Sequence, residues 1–272
     1  MKNVLIAIIN YANEEEVISY AQMLANQTSS NRIQLVIVNN KKSENAKINL
    51  AEEIQKINLS IELFEPMNNL GYLNGALYGY NEFISNGGTK PDWVIISNTD
   101  IVISDTLYFE KFLSIHYQEE IWCVAPSVYS PLTKSYQNPH YIERCSLNKI
   151  NRIIFINQTP FLAYIYENLA KLKAKVRKTE RKESQYVYSA HGCFFAVKGD
   201  FIDIIKDNGY KGFLYSEEAY IAEYLLIHGK KCFYDNNLEI VHNENSITGL
   251  LGINKRSKYI ANSLKYIREE FY

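Results

Sequence analysis

Five apolar runs of strand length, Val4 to Ile9, Leu35 to Val38, Ile61 to Phe64, Trp93 to Ile96 and Cys123 to Val128, recur through the first 130 residues with room for a helix between them. Strand-length runs that alternate with amphipathic segments require βαβ crossovers, and therefore a mostly parallel sheet with helices on its faces. The clearest intervening helices are Glu14 to Leu24 and Ser43 to Ile57, the second opening on Ser43 as a cap. In such an α/β fold, ligands gather outside the carboxyl ends of the strands. The residues collected there are Asn10-Tyr11, Asn39-Asn40, Asn68 to Tyr72, and Asn98 to Asp100.

Beyond Ser130 the alternation stops. The stretch 130–186 reads as an insert in which apolar and aromatic residues pass into Lys171 to Lys182, where seven of twelve residues are basic and one is acidic. Basic sequence beside an apolar amphipathic stretch suits an anionic membrane surface, each Lys or Arg near it contributing roughly 1 kcal/mol. A solvated charged helix is the competing reading. After the insert, Tyr188 to Lys198 reads as strand, Glu217 to His228 as helix, and Lys231 to Tyr234 and Glu239 to His242 as two short strands. The tail from Lys255 to Tyr272 carries Tyr259, Ile260, Leu264, Ile267 and Phe271 at helical spacing. A domain over 1–246 with a helical tail over 247–272 is the simplest division.

Composition narrows the function classes. The 272 residues are 47% hydrophobic and 22% charged, with a formal charge of −1, which argues against a nucleic-acid-binding domain. Cys123, Cys145, Cys193 and Cys232 show neither a C-x-x-C pair nor zinc-finger spacing, and read as reduced thiols of a cytoplasmic protein. Val4 to Ile9 is too short for a signal sequence, and no apolar window reaches 18 residues. The 22 tyrosines suit a half-wet, sugar-handling or interfacial surface.

The residues able to carry chemistry sit after the strands. Asp100 ends the run Trp93 to Asp100 and is placed to meet a hard cation or a phosphate-bearing ligand; an ordinary strand-to-helix turn uses the same residue types. Asn68-Asn69-Leu70-Gly71-Tyr72 is either a simple turn or a glycine-bearing approach to a ligand. Neither a G-x-G-x-x-G after a strand nor a P-loop is present. Glu217-Glu218 opens a helix, as acids matched to its dipole or as a general base. His242 ends a short strand, and an aspartate with a neutral imidazole makes a Mn²⁺ or Mg²⁺ site when diphosphate oxygens complete the shell.

Taken in order, these segments resemble the family 2 glycosyltransferases of GT-A fold, particularly bacterial polysaccharide and rhamnosyltransferase-like members, from Val4 to about Ser246. The carriers are Asn10-Tyr11, Val38-Asn39-Asn40, Asn69-Leu70-Gly71-Tyr72, Asn98-Thr99-Asp100 in place of D-x-D, Ala190-His191-Gly192-Cys193, Glu217-Glu218 in place of E-D, and His242. The resemblance implies a nucleotide-diphosphate sugar held by residues 10, 11, 39, 69 and 71, with Asn98 and Gly192 beside it and Asp100 and His242 on a bridging Mn²⁺ or Mg²⁺. It implies Glu218 as the base that deprotonates an acceptor hydroxyl, with inversion, and Glu217 as an orienting neighbour. The acceptor would be a glycan or lipid-linked saccharide at the inner face of a bacterial membrane.

Three positions depart from the pattern. Asn39 and Asn98 replace aspartates, removing charge from the donor and metal sites, and Glu218 replaces an aspartate at the base position. The lost carboxylates leave room for a second reading, a catalytically silent nucleotide-sugar-binding subunit. A sugar-phosphate nucleotidylyltransferase is a third, opposed by Glu14-Glu15-Glu16, which would repel a triphosphate.

Overall fold

The computed structural model describes residues 2–41, 43, 48–176, 179–244 and 251–272. In chain order it comprises β1 (Val4–Tyr11), α1 (Glu14–Ala25), β2 (Ile33–Lys41), α2 (Leu50–Gln55), β3 (Ser60–Phe64), α3 (Leu73–Ser85), β4 (Trp93–Ser97), β5 (Ile101–Val102), α4 (Tyr108–Ser114) and β6 (Ile121–Ser130). There follow β7 (Ser135–Tyr136), α5 (Leu147–Gln158), α6 (Pro160–Val176), β8 (Gln185–Val187), β9 (Phe194–Lys198), α7 (Gly199–Asn208), α8 (Glu217–Ile227), β10 (Lys231–His242) and α9 (Ile253–Phe271).

The strands form one mixed sheet in the order β3-β2-β1-β4-β9-β6-β10-β5, with β7 beside β6 and β8 beside β10. The first four are mutually parallel. The parallel rule ends at β4, whose outer neighbour β9 runs antiparallel to both β4 and β6. Side-chain alternation along the parallel strands builds two cores. Val4, Ile6 and Ile8 of β1 and Trp93 and Ile95 of β4 face one core with Val17, Tyr20 and Leu24 of α1. Leu5, Ala7, Val94 and Ile96 face the other with Leu77 and Tyr80 of α3. Burial on both faces is why these strands read as unbroken apolar runs rather than alternating ones.

Three expectations are corrected in detail. The helix expected from Ser43 begins at Leu50, with Asn49 at its cap position. Ser43 instead donates its amide to Glu14 Oε1 at 2.8 Å, while positions 42 and 44–47 lie outside the described residues. The two short strands at the C-terminal end are one strand, β10, whose pairing to β6 shifts register between Asp235 and Glu239. The strand expected over Tyr188 to Lys198 is confined to Phe194–Lys198.

The insert forms α5 and α6, the first capped by Ser146 Oγ, which accepts the Lys149 amide at 3.3 Å. Helix α9 packs on α5, α6 and α8, buries Ala261 and Ile267, and donates from Ser263 Oγ to the Leu214 carbonyl at 2.8 Å. Among the described residues, no helix is long and apolar enough to cross a membrane.

Candidate active site

The carboxyl ends of β1, β2 and β4 and the loop after β3 open on one cavity of about 290 Å³, close to the lower end of ligand-pocket size. Its strand-end wall is Ile9, Tyr11, Asn13, Asn40, Asn69, Gly71, Tyr72 and Ser97 to Asp100, with Glu16 from α1. The rest of the lining comes from a part of the chain that the strand pattern does not point to: Phe213 and Leu214 before α8, and Leu251, Lys255 and Tyr259 at the start of α9. The Tyr259 and Phe213 rings meet at 5.3 Å.

The amides of this wall mostly shape it. Asn40 Nδ2 donates to the Gly71 carbonyl at 2.9 Å and its Oδ1 accepts the Leu70 amide, while Asn69 Oδ1 accepts the Gly71 amide at 2.9 Å. Gly71 has φ +79°, and a Cβ there would lie 2.1 Å from the Phe213 carbonyl oxygen. The close approach is thus made by the loop before α8, which joins the two parts of the lining. Asn10 and Asn39 lie behind the cavity surface. Asn10 Nδ2 donates to Asn39 Oδ1 at 2.8 Å, and Asn39 Nδ2 donates to Glu65 Oε1 at 3.0 Å. These two side chains support the wall from its buried side.

Asp100 is held by main-chain bonds on both sides. The Asn98 amide donates to the Cys193 carbonyl at 2.8 Å, and the Asn243 amide donates to the Asp100 carbonyl at 3.1 Å. This brings the Asp100 side chain to His242, with Oδ1 at 3.4 Å from Nε2. Gln137 spends its Nε2 donor on Glu244 Oε1 at 2.9 Å, so its Oε1 accepts from His242 Nδ1 at 2.8 Å. That bond puts a proton on Nδ1 and turns Nε2 towards the Asp100 carboxylate. Both Asp100 oxygens and His242 Nε2 are buried without a hydrogen-bond partner. A carboxylate and an imidazole nitrogen set face to face in a buried place without hydrogen-bond partners suit a cation between them.

A second station lies at the start of α8. Tyr215 and Ser216 both have left-handed backbone, φ +70° and +65°, an uncommon conformation for residues with a Cβ. The turn delivers Glu217 into the interior, where burial first and the neighbouring Glu218 second push its carboxyl up to about 8. Glu218 is half-buried, its Oε2 3.6 Å from where a Cβ on Gly192 would stand. Gly192 and Cys193 therefore connect the stations: the first lies against Glu218, the second bonds to the Asp100 strand end. Of the sites expected from sequence, Tyr11, Asn69, Gly71, Asn98 and Asp100 line the cavity, His242 backs it through Asp100, and Gly192, Glu217 and Glu218 form the second station. Lys255 and Tyr259 went unnoticed as site residues, because helical spacing in a tail does not say which body it packs on.

No protein-family model matches the sequence, and no curated protein matches it. Solved structures do. A mannosyltransferase from Pyrobaculum calidifontis, in complex with GDP-Man and Mn²⁺, superposes with a TM-score of 0.57 at 9% identity, covering 97% of this chain and 69% of that one. GalNAc-T7 with UDP, GalNAc and Mn²⁺ gives 0.59 at 13% identity, covering 99% of this chain and 50% of that one. This chain therefore spans about half the length of the second neighbour. At these identities the likeness is one of fold, and the chain has the α/β fold of the GT-A glycosyltransferases.

Proposed function

We propose that the protein is an inverting glycosyltransferase that moves a sugar from a nucleotide-diphosphate donor to a hydroxyl of a glycan or lipid-linked acceptor in bacterial surface polysaccharide synthesis. The observation that carries this reading is the unpartnered Asp100–His242 pair at the strand-end cavity, joined through Cys193 and Gly192 to the half-buried carboxylate of Glu218. The two similar structures, which hold a nucleotide sugar or its parts with Mn²⁺, support it.

Tyr11, Asn69 and Gly71 would line the donor, with Asn10 and Asn39 holding that wall from behind. Asn98 and Asp100 would lie towards the diphosphate. A divalent cation held by Asp100 and His242 would neutralise charge on the departing nucleoside diphosphate. Lys255 is the one lysine or arginine among the described residues lining the cavity and would add charge there. Glu218 takes the acceptor's proton: a base must be reachable by the substrate, and Glu218 is half-buried where Glu217 is buried. Glu217, its carboxyl raised to about 8, holds a proton at neutral pH and would act as a neutral orienting neighbour rather than as the base.

Calorimetric titration with UDP-, dTDP- and GDP-sugars, with and without Mn²⁺, tests the donor site. Cation-dependent binding of one donor, lost in Asp100→Ala, supports it; no binding by folded protein overturns it. Binding without transfer to any glycan or lipid-linked acceptor would leave the silent-subunit reading.

The proposed setting is the inner face of the cell membrane. On α6, Phe161, Tyr164, Ile165, Leu169 and Leu172 form one stripe at helical spacing, and it faces outward: Phe161 is 70% exposed, Leu169 and Leu172 60% each. An apolar stripe leading into basic sequence is the pattern of an interfacial helix on anionic lipid. Flotation with phosphatidylglycerol vesicles should recover the protein, with Leu169→Asp failing to float and phosphatidylcholine vesicles recovering little. Equal recovery of the variant would overturn the docking face.

A further inference from the structure

The cation position carries a donor that an oxygen-ligand metal does not call for. Cys193, His191 and His242 come from the β9 approach and the end of β10, and their ligand atoms lie within 4.8 Å of one another, beside Asp100. Cys193 is buried, and its main-chain bond to Asn98 locks it to the Asp100 strand end. His191 Nδ1 already accepts the Cys193 amide at 3.2 Å, a bond that ligation through Nδ1 would forfeit. Asp100 and His242 have no competing partner on the atoms that face each other.

We propose that Cys193 is a metal ligand together with Asp100 and His242, so that the centre takes Zn²⁺ or Co²⁺ through a metal–sulfur bond in preference to Mn²⁺ or Mg²⁺. Carboxylate and carbonyl oxygens suit Mg²⁺ and Mn²⁺, whereas thiolate with imidazole selects zinc-like ions, which also stand higher in intrinsic affinity than Mn²⁺. Three protein ligands leave a fourth position open, as in catalytic zinc sites. Ions of this kind hold sulfur at about 2.3 Å and nitrogen at about 2.0 Å. The Cys193 thiol loses its proton to solvent as the bond to sulfur forms, and the metal keeps its oxidation state. Its position is the one given to the cation in the proposed transferase, but its test needs neither donor nor turnover.

Metal-free full-length protein titrated with Co²⁺ should develop a thiolate-to-cobalt charge-transfer band saturating near one equivalent, bleached by Zn²⁺ and untouched by excess Mn²⁺. Cys193→Ser should lose that band while keeping the visible d–d bands, Cys145→Ser should keep both, and Asp100→Asn should weaken binding by about tenfold or more. Co²⁺ binding without the band, or a band that survives Cys193→Ser, would overturn the proposal. So would failure of Co²⁺ and Zn²⁺ to bind. X-ray absorption of zinc-loaded wild type needs no variant: one sulfur scatterer is expected, and a shell of oxygen and nitrogen alone would refute it. If Cys193→Ser keeps wild-type Mn²⁺-dependent donor binding and wild type shows no sulfur signal, the sulfur ligand falls and the transferase reading stands.

Discussion

The strand-end station and the start of α8 each place an acid in a mostly dry setting, and they resolve it in opposite ways. Asp100 faces Nε2 of His242 with both oxygens unpartnered, an arrangement that an added cation would complete. Glu217 faces another carboxylate, and burial with that like charge raises it to about 8, so it is completed by a proton. A buried acid needs a positive charge, and a neighbouring imidazole nitrogen suits a metal there where a neighbouring carboxylate favours a proton.

The largest expected effect separates Glu218 from its neighbour. Glu218→Gln should lower turnover by about 10² to 10⁴-fold, the usual share of general-base catalysis, with donor KM little changed. Loss of donor binding instead would show that the α8 station belongs to the donor side. Asp100→Ala should abolish cation-dependent donor binding, costing several kcal/mol when assayed with the metal present. Retention of full turnover by both variants would end the transferase reading.

These two positions were legible in sequence because each follows an element that periodicity reveals. Asp100 ends an apolar run and Glu217-Glu218 opens a helix, so strand-end chemistry and helix capping pick them out without a structure. The four-strand parallel half was legible for the same reason: β1, β2 and β4 are buried on both faces and read as continuous apolar runs. What escaped is non-local. The antiparallel β9 between β4 and β6 arises from a strand about 100 residues later in the chain than β4, and no local pattern encodes that partner. The α6 and α9 helices are both amphipathic, yet α9 buries Ala261 and Ile267 and lends Lys255 and Tyr259 to the cavity, while α6 turns its apolar stripe outward. Amphipathicity shows that a helix has a face, and only packing shows what covers it.

The proton-completed station gives a pH test with a definite sign. Glu217 is an ordinary carboxyl in the unfolded chain and is raised to about 8 in the fold. Between those values the native state binds the extra proton, so stability falls as pH rises, by up to about 1.4 kcal/mol per pH unit from this group. The contribution is fully present below the unfolded value and is lost as pH passes through about 8. Glu217→Gln keeps the size and the neutral state and has no proton to lose. Thermal melts from pH 5 to 8.5 should therefore show wild type falling more steeply than the variant, with the curves furthest apart at the alkaline end. Parallel curves would place Glu217 in a wetter setting and remove the contrast with Asp100.

The smallest expected effect concerns the wall that the tail helix contributes. Lys255 is exposed and lines the same cavity as Tyr11 and Asp100, so its charge acts through partly screened solvent and is worth about 1 kcal/mol or less. Lys255→Ala should raise the donor Kd by roughly two- to fivefold, a change that shrinks as salt is added because exposed charges are screened. Melting temperature should stay within about a degree, since a surface lysine without a packing role changes stability by at most about 0.5 kcal/mol. A donor Kd unchanged at low salt would show that Lys255 does not act on the donor and leave a cation at Asp100 as the proposed source of positive charge facing the diphosphate.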